Sequence, residues 1–173
     1  MTRKVEVHPY QPEWGSSFTK EAKRLESLFG RELLDIHHIG STAVEGMAAK
    51  PVIDLMPVVA DIARIDAHNE SMKALGYEPK GEYGISGRRF FIKGRDLRTH
   101  HVHIYEKGNP EIERHLIFRD YLMEHPAARE RYSQVKQVLA EKYPDDIGAY
   151  IKGKERIVKE LEHEAFCWRG LIT

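Results

Sequence analysis

An α/β (α+β) fold, with a mixed β-sheet of four to five strands, flanking helices and a helical C-terminal segment, follows from three features of the sequence. Apolar runs of strand character lie at 33–39, 52–59, 89–93 and 99–105. Segments with a 3.6-residue apolar period stand before and between them, and from residue 109 onward the pattern is helical alone.

Taken in order, Pro12 opens a helix in which Trp14, Phe18, Ala22, Leu25 and Leu28 recur at helical spacing, and Gly30 stands at the C-terminal cap position. The run 33–39 is a strand ending at Gly40. The run 52–59 is so continuously apolar that both faces must be covered, which places it inside the sheet. Asp61 caps a helix expected to reach Leu75, with Gly76 as its stop. Segments 89–93 and 99–105 form a hairpin closed by Gly94, Arg95 and Asp96. Asn109-Pro110 is a cap followed by a first-turn proline, Pro126 restarts a helix that ends before Pro144, and Asp145 opens a last helix carrying Ile147, Ile151, Val158, Leu161 and Phe166.

The 173 residues suit one domain spanning 1–173, long enough for a substantial core. With 27 basic and 27 acidic residues the net charge is zero, which gives no support to strong nonspecific nucleic-acid binding, so any such contact must be local. The single cysteine, Cys167, excludes an intramolecular disulfide and a thiolate zinc cluster. The first residues are polar and no apolar run approaches the roughly 20 residues that span a bilayer, so neither a signal peptide nor a membrane span is expected, and the cytoplasm is the expected compartment.

The chemistry gathers between the first two strands. Gly40 lets backbone approach a phosphate without a side chain in the way, Ser41 and Thr42 add hydroxyls, and Lys50 adds a positive charge. Gly-Ser alone reads first as an ordinary tight turn. What gives it weight is Asp54, a carboxylate in the apolar run Val52 to Val59, where burial demands a hydrogen-bonded, ion-paired or metal-bound partner. Strand alternation puts Val52, Asp54 and Met56 on one face, so Met56 occupies the place where a second metal-binding acid would point the same way.

His101 and His103 alternate on the last strand and therefore face one side. They can hold a metal ion, flank a phosphate or form a structural hydrogen-bonded pair. A histidine-triad hydrolase would need a third histidine where Tyr105 stands, and a two-histidine phosphodiesterase would need a second His-x-Thr or His-x-Ser element, which is missing. Arg89 begins an apolar strand and is expected to point toward the cleft. Tyr150 and Lys154, four apart on the last helix, share a face and could reach a base or phosphate.

Tyr10-Gln11-Pro12-Glu13-Trp14, His38 to Val44, Lys50 to Asp54, His101-Val102-His103 and Phe118 to Leu122 together resemble the GrpB family of the DNA polymerase beta-like nucleotidyltransferase superfamily. The resemblance implies a nucleotidyltransferase-like fold over nearly the whole chain. It also implies that Gly40 and Ser41 hold nucleotide phosphates while Asp54 is the first of the acids that hold divalent ions, usually magnesium. The superfamily's second acid is Met56 here, so His101 and His103 are the candidate replacement ligands, and imidazole shifts the preference from magnesium toward manganese or zinc.

Three functions are then open. One is transfer of a nucleoside monophosphate from a nucleoside triphosphate to a hydroxyl of an RNA end or a small molecule. A second is a nucleotide-binding or accessory module of the same fold without turnover. A third is a metal-dependent phosphohydrolase.

Overall fold

In a computed structural model, which describes residues 3–173, the chain forms a five-stranded sheet with helices on both faces. Helix α1 (Glu13–Phe29) buries Trp14, Ala22, Leu25 and Phe29, and the Gly30 N–H closes it onto the Glu26 carbonyl. Strands β1 (Leu33–Ile39) and β2 (Ile53–Val59) run antiparallel. The single helix expected over 61–75 divides into 3-10 turns (Ile62–His68) and a short α2 (Asn69–Ala74). Three residues per turn line up Ile62, Ile65 and His68; Ile65 is buried and His68 Nε2 lies 2.6 Å from Glu32. Asp61 does cap this segment, accepting from the Ala63 N–H.

A three-residue strand β3 (Tyr77–Pro79) follows, then β4 (Arg88–Lys93) and β5 (His100–Glu106). The sheet order is β1-β2-β5-β4-β3, with β2 and β5 parallel and the other pairs antiparallel. The 52–59 run is therefore interior, as its composition requires, with β5 at the centre. Three helices complete the chain: α3 (Pro110–Glu124), α4 (Pro126–Lys142) and α5 (Ile147–Trp168). The cap of α5 is Asp146 rather than Asp145, because its carboxylate is the one that reaches the Ala149 N–H at 3.0 Å.

Two cores lie on opposite sides of the sheet. On one, α1 covers Ile53, Leu55, Val59, Val102 and Ile104. On the other, Ile39, Met56 and Tyr105 meet Ile112 and Leu116 of α3, while α3, α4 and α5 pack together over Val44 and Met47 of the β1–β2 loop. That loop is pinned to α4, whose Ser133 hydroxyl accepts from the Ala48 N–H. Among the described residues no helix is long and apolar enough to cross a membrane.

Candidate functional site

The register of the sheet assembles the site. Asp54 pairs with His101 across the parallel β2–β5 seam, and Ile39 pairs with Asp54 across β1–β2, so the end of β1, the start of β2 and the start of β5 converge. Alternation then brings His103 to the same face. The Asp54 Oδ1 atom lies 2.9 Å from His103 Nε2 and 3.5 Å from His101 Nδ1. Burial raises the Asp54 carboxyl, but hydrogen bonds from His101 and His103 outweigh it and hold the group well below the usual carboxylate range. Burial in turn lowers His101 more than its contact with Asp54 raises it.

Gly40 shows how tightly the turn closes on this acid. Its φ is +74°, and a Cβ there would sit 2.6 Å from Asp54 Oδ2, so only glycine fits both the conformation and the space. The chain next makes a 3-10 turn (Ser41–Ala43) whose Thr42 hydroxyl lies 2.9 Å from His38 Nε2. The His38 ring stacks on Phe18 of α1 at 4.7 Å, and burial lowers its pKa to about 4, leaving a neutral imidazole against the Thr42 hydroxyl.

A pocket of about 250 Å³ opens beside the turn, bounded by Ser41, Thr42, Lys50, Asp54, His101, Lys136, Tyr150 and Lys154. Sequence patterning missed Lys136. It lies on α4, is 2 % exposed, and donates to the Ser41 hydroxyl at 2.8 Å. Burial, then repulsion from Lys154 and Lys50, takes its pKa well below that of an ordinary lysine. Burial also pulls Lys50 down, to about 7, with Lys154 adding to the effect, and it lowers Lys154 itself. Tyr150 is fully buried and its ring is approached by both lysines, 5.3 Å from Lys50 Nζ and 4.8 Å from Lys154 Nζ. Crowded, partly desolvated cations of this kind are stabilised by a bound anion.

Arg89 is not part of this arrangement. Arg88, Phe90 and Ile92 share the face of His101 and His103, whereas Arg89 points to the opposite side and pairs with Asp66 at 2.7 Å. The expectation that Arg89 faces the cleft is corrected by one residue: β4 begins at Arg88, which reaches His103 Nδ1 at 3.5 Å and the carbonyls of Glu82 and Tyr83. Other basic residues of the region are committed elsewhere. Arg114 bonds Glu111 and Glu162, and Arg119 bonds Asp120 and the His38 carbonyl. His115, missed as a site neighbour, stands 5.8 Å from the His103 ring and is kept neutral by burial, which lowers it to about 3.

Asp54, His101 and His103 offer three ligand atoms within 4.8 Å of one another. One carboxylate and two imidazoles in this geometry fit a borderline ion such as manganese or zinc better than magnesium, which favours oxygen donors. Cations stand behind both rings: Arg88 at His103 Nδ1, and Arg98 Nη1 at 3.4 Å from His101 Nε2. Metal-bound imidazoles ordinarily donate their other N–H to an acceptor, so these guanidiniums oppose the ligating tautomer.

The family model described as GrpB protein matches residues 4–164. UPF0157 protein YqkA of Bacillus subtilis is 51% identical over 167 residues, which cover 96% of this chain and 49% of that protein, so the chain spans about half the length of this relative. Glutamate-rich protein GrpB of Alkalihalophilus pseudofirmus is 36% identical over 156 residues, covering 87% and 90% of the two chains. The crystal structure of conserved protein GrpB from Enterococcus faecalis superposes with a TM-score of 0.92 at 43% identity, covering 95% of this chain and 99% of that one. The chain belongs to the GrpB protein family.

Proposed function

We propose that this chain binds the phosphates of a nucleoside triphosphate at Ser41, Thr42, Lys50, Lys136 and Lys154, and transfers the nucleoside monophosphate to a hydroxyl of an RNA end or a small molecule. The observation that carries this reading is that a single pocket joins a hydroxyl-bearing turn and three acid-poor lysines to the Asp54, His101 and His103 cluster. The resemblance of Gly40-Ser41 and Asp54 to the nucleotidyltransferase signature supports it.

Asp54, His101 and His103 would hold the divalent ion. When bound, such an ion polarises the reacting phosphate and favours ionisation of the acceptor hydroxyl. The chain's own groups do the rest. Ser41 and Thr42 position phosphate oxygens, and the lysines offset the charge that grows on the departing pyrophosphate. The acceptor oxygen forms a bond to the α-phosphorus as the bond to the bridging oxygen breaks. Pyrophosphate leaves with that electron pair, and the hydroxyl proton passes to water.

Incubation with each α-labelled triphosphate, manganese or zinc, and RNA or small-molecule acceptors tests this reading. Label is expected on an acceptor. If calorimetry records nucleotide binding while no label moves with any metal, transfer is refuted.

That outcome would leave a non-catalytic nucleotide-binding or accessory module, which a specific observation favours. Met56 is fully buried against Ile39 and Tyr105 in the place of a second acid.

A further inference from the structure

A second cavity, of about 380 Å³, adjoins the phosphate pocket and shares Lys50 and Val52 with it. Its far wall is the N-terminal segment, which is fixed in place by Val5 donating to the Pro144 carbonyl and by a two-way bridge between His8 and Ala49. Arg3, Lys4, Lys50 and Arg98 line it against two acids, Glu6 and Asp96, and Glu6 already lies 3.5 Å from His8. Arg98 Nε is buried with no hydrogen-bond partner among the described residues. Burial and the neighbouring Arg98 charge also lower the Arg3 guanidinium. Pro51, Val52 and the 86 % exposed Leu97 give the cavity an apolar side.

Its position relative to the reacting centre decides its meaning. Arg98 Nη1 is 3.4 Å from His101 Nε2, and His101 Nδ1 is 3.5 Å from Asp54 Oδ1. The cavity thus reaches the Asp54 cluster only through Arg98, whereas Asp54 and His101 line the lysine pocket directly. A molecule anchored in one cavity would be the neighbour of a triphosphate anchored in the other, with Lys50 and Val52 as the shared wall.

We propose that this second cavity is the acceptor subsite and that it selects a small molecule bearing a phosphomonoester, with Arg98 and Arg3 on the phosphate and Leu97 and Pro51 against the carbon skeleton. Arg3, Lys4 and Arg98 outnumber the two acids even without Lys50, which the triphosphate engages, and an unsatisfied guanidinium donor is the group a phosphate oxygen completes. This proposal rests on the transferase reading for the identity of the molecule as an acceptor. The binding site itself does not depend on turnover.

The test compares ribose 5-phosphate with ribose by calorimetry on the full chain, with ATP titrated separately. Ribose 5-phosphate is expected to bind and ribose is not. Arg98→Gln should weaken ribose 5-phosphate by about tenfold or more, the value of a charge-assisted bond. Leu97→Glu, at an exposed position that tolerates substitution, should weaken it similarly by adding a negative charge to the cavity, and it keeps the test valid if Arg98→Gln misfolds. ATP affinity should stay within about twofold in Leu97→Glu, since that residue lies outside the lysine pocket.

Equal affinity for ribose and ribose 5-phosphate, or unchanged ribose 5-phosphate binding in both variants, overturns the subsite even where ATP binds. Binding of a 5′-phosphorylated oligonucleotide but not of ribose 5-phosphate overturns the small-molecule assignment. If ribose 5-phosphate binding depends on Arg98 while ATP does not bind at all, the transferase reading fails and the phosphomonoester site stands.

Discussion

The two sides of the pocket are built from opposite electrostatic solutions. On the Asp54 side a carboxylate is held by hydrogen bonds from two imidazoles, so its acceptors are satisfied within the protein. On the Ser41 side Lys50, Lys136 and Lys154 crowd together, and the charges bearing on Lys136 are the other two lysines alone. The first side is complete as it stands and must give up imidazole protons to take an ion. The second is left short of negative charge. The contrast teaches that the lysine side is the stronger sign of a ligand, although the acid and histidines are the more conspicuous in the sequence.

Substitutions can break this comparison side by side. The largest effect is expected from Asp54→Asn, which removes the only carboxylate of the ion cluster; manganese affinity by calorimetry should fall by about a hundredfold or more, as loss of a charged ligand implies. Nucleotide binding without metal should survive it. Unchanged manganese affinity would place the ion elsewhere.

Gly40→Ala comes next. A Cβ at φ +74°, 2.6 Å from Asp54 Oδ2, should cost about 1–3 kcal/mol in chemical denaturation and displace the acid from its histidines. Wild-type stability in this variant would show that the turn is looser than its geometry implies.

Lys136→Met sharpens the other side. It should weaken ATP by about tenfold or more through loss of a charge-assisted contact. Stability should hold or rise, because a buried polar amine is replaced by an apolar chain of similar volume. Weakened manganese binding with intact ATP affinity would reverse the roles assigned to the two sides.

The smallest effect is that of pH. Lys50 has a pKa of about 7 in the free pocket, and a neighbouring polyphosphate favours its ammonium form and raises that value. Above pH 7 the free protein has lost the proton that the complex keeps, so binding takes one up and affinity falls as pH rises, by up to about tenfold per unit. Below pH 7 both states are protonated and this dependence disappears. Calorimetry in buffers of different ionisation enthalpy reads the uptake directly.

Much of this was legible from strand periodicity. Alternation placed Asp54 with Met56 and His101 with His103, and the continuous apolar run at 52–59 marked an interior strand. Alternation also decides Arg89: it shares a face with Phe91, opposite to Arg88, Phe90 and the two histidines, so its place at the start of an apolar run did not aim it at the cleft. Strand β3 has only three residues and too little pattern to register. Lys136 escaped because it lies 95 residues from Ser41, on a helix whose exposed charges are numerous. A signal was available: Ala128, Tyr132 and Lys136 recur every four residues on the buried face, and a lysine there needs a partner.

The central claim is that both sides serve one nucleotide. A crystal structure with a nonhydrolysable triphosphate and manganese tests it most directly. Phosphate oxygens are expected against Ser41, Lys50 and Lys136, with an anomalous manganese peak at ligand distance from Asp54, His101 and His103. A triphosphate bound away from this pocket, or phosphates seated here with no manganese at those three residues, would contradict it.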